Sequence, residues 1–261
     1  MIRSNNLFLF FEDIKKNPFE FSVAASGEKF EEIFFNLFRK NGIYEILNND
    51  KILEKIANTE GINEKKVKEK LTLIKKEILI KDSVEILKNP FKNIVSHYIY
   101  QPNGSQDFPD FLVFYKKYII TIEIKFSKKT KGNDKNKRPM WNSNLPKANA
   151  IYIYGVSGKD VTFFKGDDIL DNQTREALLG YFSIIKDVKN MENELNEKLL
   201  ENKNNFGFSP YIRVAYENKK NVSTYKDENN KQKVESFFSE NREDRENKVL
   251  DFIKKIDEEN E

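Results

Sequence analysis

Residues 105–127 read SQDFPDFLVFYKKYIITIEIKFS, and the rest of the chain is arranged around them. Two apolar, β-rich runs, Phe111–Tyr115 and Tyr118–Phe126, are joined by the polar pair Lys116-Lys117. Side chains of a strand alternate between its faces. Tyr118, Ile120, Ile122, Ile124 and Phe126 are therefore expected to face a core, and Thr121, Glu123 and Lys125 an open side. Pro109-Asp110 enters the first run, which sets a second carboxylate on the neighbouring strand. Two acids and an amine so placed suit a metal site better than a solvated turn.

The surrounding chain narrows the possibilities. Its 261 residues can bury one sizeable core, and 22 Phe with 11 Tyr supply it. With no Cys, zinc-thiolate sites, disulfides and thiol nucleophiles are excluded, and the single His, His97, excludes polyhistidine metal sites. No apolar run approaches the ~20 residues of a membrane span. Glu12 and Asp13 follow the short apolar start at once, against a signal peptide, so the cytoplasm is the expected location. Residues 125–147 hold eight Lys/Arg and one acid, a charge of +7 against +3 for the whole chain, so the remainder carries −4. Positive charge thus gathers just beyond Glu123, where a polyanion would lie.

Periodicity gives the flanking elements. Residues 7–17 form an amphipathic element stopped by Pro18. Phe30, Ile33, Phe34, Leu37 and Phe38 make a helix of Glu28–Lys40, ended by Asn41-Gly42. Two or three helices are expected between Tyr44 and Asn89, with Gly61 and Asn63 at the break and Ile74, Ile78, Leu79, Val84 and Leu87 as packing residues. Ile94–Tyr100, Ala150–Val156 and Val161–Phe164 read as strands, and Gln101–Gly104 as a turn. A helix is expected over Thr174–Glu201, capped by Asp168 or Asp171. A late strand follows at Tyr211–Tyr216, then a polar loop at 217–235. The expected fold is α/β, a central mixed β-sheet flanked by helices. It forms one domain over 1–261, with a helical subdomain at 44–90 and a C-terminal helix at 237–261 that includes Phe238.

Asp110 and Glu123 offer the hard oxygen ligands Mg2+ prefers, and the Ile124 carbonyl a third. Lys125 lies where it can position water or stabilise developing charge, which fits metal-assisted phosphodiester cleavage. Asp107 competes with Asp110. The acid-x-Lys triplet carries little alone, for it also begins at Asp13, Glu64, Asp187, Glu201, Glu217 and Glu246. Pro-Asp, however, occurs once, and only Glu123-Ile124-Lys125 ends an apolar β-run within a hairpin of it.

Pro109-Asp110 followed at this spacing by Glu123-Ile124-Lys125 resembles the PD-(D/E)XK nuclease superfamily. Gly27-Glu28-Lys29-Phe30-Glu31 is similar to the start of the helix that precedes the core sheet in many members. The resemblance covers residues 27–156. It implies a restriction endonuclease-like core and a Mg2+ cofactor. It also implies Glu31 as the supporting acid, with Glu28 and Glu32 as alternatives. A type II restriction endonuclease is the implied activity, a homodimer cutting double-stranded DNA to leave 5′-phosphate and 3′-hydroxyl ends. The alternatives are a repair or junction-cleaving nuclease of the same superfamily and a non-catalytic DNA-binding module.

The polar loop Lys128–Lys147 is the expected DNA-reading segment. Arg138 suits guanine, and Asn142 and Asn144 suit adenine. Ser143 and Lys147 suit phosphates, and Trp141 is the only Trp. Lys128 and Lys129, with Lys131 and Lys135, are expected phosphate contacts. Ser105 and Gln106 stand just before the motif as further DNA contacts. His97 is expected to be a packed, half-buried residue.

Overall fold

The structure is a computed structural model and describes residues 6–80, 85–105, 107–128, 139, 146–170, 172–201, 237–239 and 241–259. These fall into two compact units. One holds all seven strands and the helices other than α6. The other holds α6, Asn172–Glu201, which presents the exposed apolar residues Ile184, Val188, Met191 and Leu195.

In the first unit the chain begins with helices α1 (Leu7–Lys16), α2 (Pro18–Phe21) and α3 (Gly27–Lys40). Ser26 caps α3 by accepting the Lys29 N–H, and Arg39 and Lys40 suit the negative end of the helix dipole. Strand β1 (Tyr44–Glu45), helices α4 (Ile52–Glu60) and α5 (Glu64–Ile80) and strand β2 (Leu87–Lys88) follow. Then come β3 (Ser96–Tyr100), β4 (Phe111–Tyr115), β5 (Tyr118–Ser127), β6 (Ile151–Val156) and β7 (Asp160–Lys165). Helix α7 (Arg242–Glu258) closes the unit.

The strands make one mixed sheet in the order β1-β3-β4-β5-β6-β7, with β2 also paired to β5. β3, β4 and β5 form an antiparallel meander, and β5 runs parallel to β6. Both faces are covered. On one, Phe10, Phe34 and Phe38 of α1 and α3 and Val249 and Ile253 of α7 pack on Val113, Ile120, Ile122 and Phe163. On the other, Ile56, Val67, Leu71, Ile74 and Ile78 of α4 and α5 pack on Leu112, Phe114 and Ile119. The expected α/β class with a central mixed sheet and flanking helices is what the chain adopts.

Several expectations need correction. Ile119 and Thr121 are buried, so the face assigned as open is covered along the first half of β5 by the α4–α5 pair. Residues 44–90 are not all helical. Tyr44–Glu45 pairs with β3, and Leu87–Lys88 with β5. The last helix starts at Arg242 rather than Phe237. Phe237 and Phe238 sit in a turn instead, their rings against Tyr154 and Phe164. There Arg242 pairs with Asp160 and with buried Glu246, which also accepts from Thr162. Asp168 lies in a 3-10 turn (Gly166–Asp168) and not at the helix start. Val84, Asp171 and residues 202–236 lie outside the described residues, and with them the expected strand Tyr211–Tyr216 and loop 217–235.

Candidate active site

The pairing of β4 with β5 stops at Phe111 opposite Ile122. Beyond it, Glu123 and Lys125 extend past the end of β4, and Asp110 sits one residue before that strand begins. By alternation all three project from the face that carries Leu112, Phe114 and Ile119. Helices α4 and α5 pack on Ile119 of β5, and Thr121 on the same face is buried. Further along that face Glu123 and Lys125 are partly exposed, polar side chains at the end of a strand whose start is sealed.

Hydrogen bonds knit the trio. The Asp110 Oδ2 accepts the Ile124 N–H at 2.6 Å, replacing the backbone partner β4 no longer supplies. Glu123 Oε2 accepts the Asp110 N–H at 3.2 Å, and its Oε1 accepts from Lys125 Nζ at 2.7 Å. In an antiparallel ladder a residue exchanges both its N–H and its C=O with one neighbour. The Ile124 carbonyl therefore leaves β5 on the edge where its N–H meets Asp110. Glu123 and Lys125 side chains are 13% and 21% exposed, sheltered yet reachable from solvent.

Helix α3 brings Glu31 to the same corner. Gly155 of β6 makes this approach possible, because a Cβ there would stand 2.3 Å from the Phe30 ring. Glu31 Oε2 accepts a 2.5 Å bond from Tyr100 Oη, at the end of β3, and Tyr100 Oη in turn accepts from Gln101 Nε2 at 2.8 Å. Of the alternatives, Glu32 turns away to an exposed pair with Lys29, and Glu28 is exposed on the first turn of α3.

The electrostatics are those of a site with surplus negative charge. Burial, then the Glu123 carboxylate and then Glu31, push the Asp110 carboxyl well above the usual range, against the opposing pull of the Ile124 N–H and Lys125. Burial also raises Glu31, opposed by the Tyr100 bond and reinforced by Glu123 and Glu28. A divalent cation would relieve this repulsion, and two carboxylates beside a free-edge carbonyl are the hard oxygen donors Mg2+ takes. The donor set thus fits the ion. Among the described residues no three His, Cys, Asp or Glu side chains form a ready-made metal cage. Glu31 stands off from the Asp110–Glu123 pair, close enough to act on it through its charge.

Of the other expected site residues, Lys128 is exposed just past β5 and Ser105 is exposed in the turn before Asp110. Asp107 is exposed, whereas Asp110 is drawn in. Lys147 donates its backbone N–H to Tyr152 Oη at 2.8 Å, and Tyr152 stands beside Glu123 in the β5–β6 register. Gln106, Lys129, Lys131, Lys135, Arg138, Trp141, Asn142, Ser143 and Asn144 lie outside the described residues. His97 is half-buried in β3, and burial lowers its pKa. Tyr100, Gln101 and Tyr152 are members of the site that sequence reading missed. Their strand-end position next to the Gln101–Gly104 turn, facing the Pro-Asp, was the available signal for the first two.

No protein-family model, curated protein or solved structure matches this chain. No helix among the described residues is long and apolar enough to cross a membrane.

Proposed function

We propose that the chain is a Mg2+-dependent nuclease with a restriction endonuclease-like core. It hydrolyses phosphodiester bonds in double-stranded DNA as a type II restriction endonuclease of the PD-(D/E)XK kind. One observation carries the reading. Asp110, Glu123 and Lys125, from the only Pro-Asp and from the one acid-x-Lys that ends an apolar strand, are joined by hydrogen bonds where β5 runs past the end of β4. Glu31, suggested by the resemblance alone, faces the same corner.

Asp110, Glu123 and the Ile124 carbonyl would hold the ion. When bound, Mg2+ supplies Lewis-acid stabilisation of charge on the phosphate and acidifies water. The chain's own groups do the rest. Asp110 is fixed by the Ile124 N–H, so its carboxylate needs no reorganisation to receive a cation. Lys125, which donates to Glu123 at 2.7 Å, would present its ammonium to the non-bridging phosphate oxygens and to the attacking water were Glu123 to hold the ion. The sealed half of β5 holds both strands rigidly enough to keep these groups in register.

Lys128, exposed just past β5, belongs to the basic segment 125–147, which supplies phosphate contacts. Arg138, Asn142 and Asn144 serve as base readers, and a second copy of the chain presents a matching site to the other DNA strand. Digestion of a sequenced plasmid with Mg2+, followed by mapping of the ends, tests the reading. Discrete fragments with 5′-phosphates are expected. Structure-directed nicking points to a repair or junction nuclease, and binding without cleavage to a DNA-binding module.

A further inference from the structure

Gln101 is one of two non-glycine residues with positive φ among the described residues, at 44°. A side chain in this left-handed region costs roughly 1–2 kcal/mol, and such strain persists only where neighbours impose it. They do so here. Asn48 Nδ2 donates to the Gln101 carbonyl at 2.7 Å, and the Gln101 N–H donates to the Asp110 carbonyl at 2.7 Å. The reversal aims the Gln101 amide back at the residue before it, Tyr100.

The order of donors then follows from chemistry. An amide Nε2 has only hydrogens to give, so Tyr100 Oη accepts from Gln101 at 2.8 Å. The hydroxyl's single hydrogen is thereby turned toward Glu31 Oε2, 2.5 Å away, which as a carboxylate oxygen accepts it. This chain of bonds is anchored at one end on the backbone of Asp110 and ends on Glu31, whose charge acts on Asp110. Tyr100 is also wedged by the rings of Phe35 and Phe111, at 4.9 and 5.3 Å between centroids. Its hydroxyl has little freedom to swing away.

We propose that Tyr100 is a positioning residue of the cation site: its hydroxyl, oriented by Gln101, fixes the Glu31 carboxylate where its charge acts on the Asp110–Glu123 pair. This rests on the nuclease reading above and adds the group that fixes the third carboxylate. Partners that orient such groups are worth 10–100-fold in metal affinity or activity.

A double-mutant cycle on the full chain tests it. Mn2+ affinity is measured by calorimetry without DNA, and the Mg2+ concentration for half-maximal cleavage is measured with it, for wild type, Tyr100→Phe, Glu31→Gln and the double variant. Tyr100→Phe is expected to weaken Mn2+ binding and raise the Mg2+ requirement by roughly tenfold, with metal-free DNA affinity and melting temperature unchanged. The double variant should be no worse than Glu31→Gln, because Tyr100 acts through that carboxylate. Gln101→Gly, which relaxes the backbone and deletes the amide, should move both constants the same way by a smaller factor and serves should Tyr100→Phe unfold. Wild-type constants in Tyr100→Phe, or losses that add to those of Glu31→Gln, overturn the proposal while the nuclease reading stands. A wild-type chain that neither binds Mn2+ nor cleaves removes the nuclease reading and this one with it.

Discussion

The two halves of β5 share one strand but not one environment. Ile119, Ile120, Thr121 and Ile122 are at most 6% exposed, with β4 on one flank and β2, then β6, on the other. From Glu123 onward β4 is gone, and a side chain, Asp110, meets the Ile124 N–H where a backbone carbonyl would have been. The first half spends its residues on burial. The second half keeps one edge and one face for polar groups, held steady by the pairing with β6. The polar cluster is placed where a well-packed strand runs past its neighbour, and rigidity comes from the part that does not.

Substitutions should separate the halves. The largest effect is expected at the polar end: Lys125→Ala lowers the Mg2+-dependent cleavage rate by about 10³-fold, within the range of positioned proton-transfer and charge-stabilising groups. Its unfolding free energy in urea titration stays within about 1 kcal/mol of wild type, as for a partly exposed residue off the core. Ile120→Ala should do the reverse. Loss of a fully buried side chain costs about 2–5 kcal/mol in urea titration, while cleavage per folded molecule is retained.

Gly155→Ala crosses the comparison. The added methyl drives into the buried Phe30 ring, overpacking the core by about 1–3 kcal/mol. It also shifts α3 and with it Glu31, so stability and cleavage should fall together. Cleavage that holds while stability falls would show that α3 need not lie so close.

The smallest effect concerns charge in the metal-free protein. Asp110 has a folded pKa above its unfolded value, so its contribution is fully present below the unfolded pKa and is lost as pH rises through the folded one. Stability without divalent ions should therefore decline as pH rises from about 4 toward neutrality. Asp110→Asn keeps an acceptor for the Ile124 N–H, removes the repulsion, and should flatten this decline with a gain of about 1 kcal/mol at neutral pH. Urea midpoints at a series of pH values check it. A steeper decline in the variant would contradict the charge account.

Much of this was legible in the residues. Helical spacing of Phe30, Phe34, Leu37 and Phe38 marked α3, and the apolar runs marked β4, β5 and β6. The pairing of Pro109-Asp110 with Glu123-Ile124-Lys125 marked three residues that do meet. What was misread has a common cause. Tyr44–Glu45 and Leu87–Lys88 are too short to show a period and become strands only because β3 and β5 offer an edge. Thr121 was set on an open face by alternation, which assumes a sheet covered on one side, and it is buried. Phe111–Tyr115, five apolar residues in a row, already pointed to burial on both faces. Tyr100 and Gln101 depend on a reversed backbone that no spacing rule anticipates, since Gln is not a residue that favours positive φ.

The most direct test is a side-by-side time course of duplex DNA cleavage by wild type and Asp110→Ala at saturating Mg2+, with folding of both verified by circular dichroism. The account predicts scission of the duplex by wild type, abolished by EDTA, and none above background from the variant. Equal cleavage by the two proteins, or an intact duplex with folded, Mg2+-supplied wild type, would contradict it.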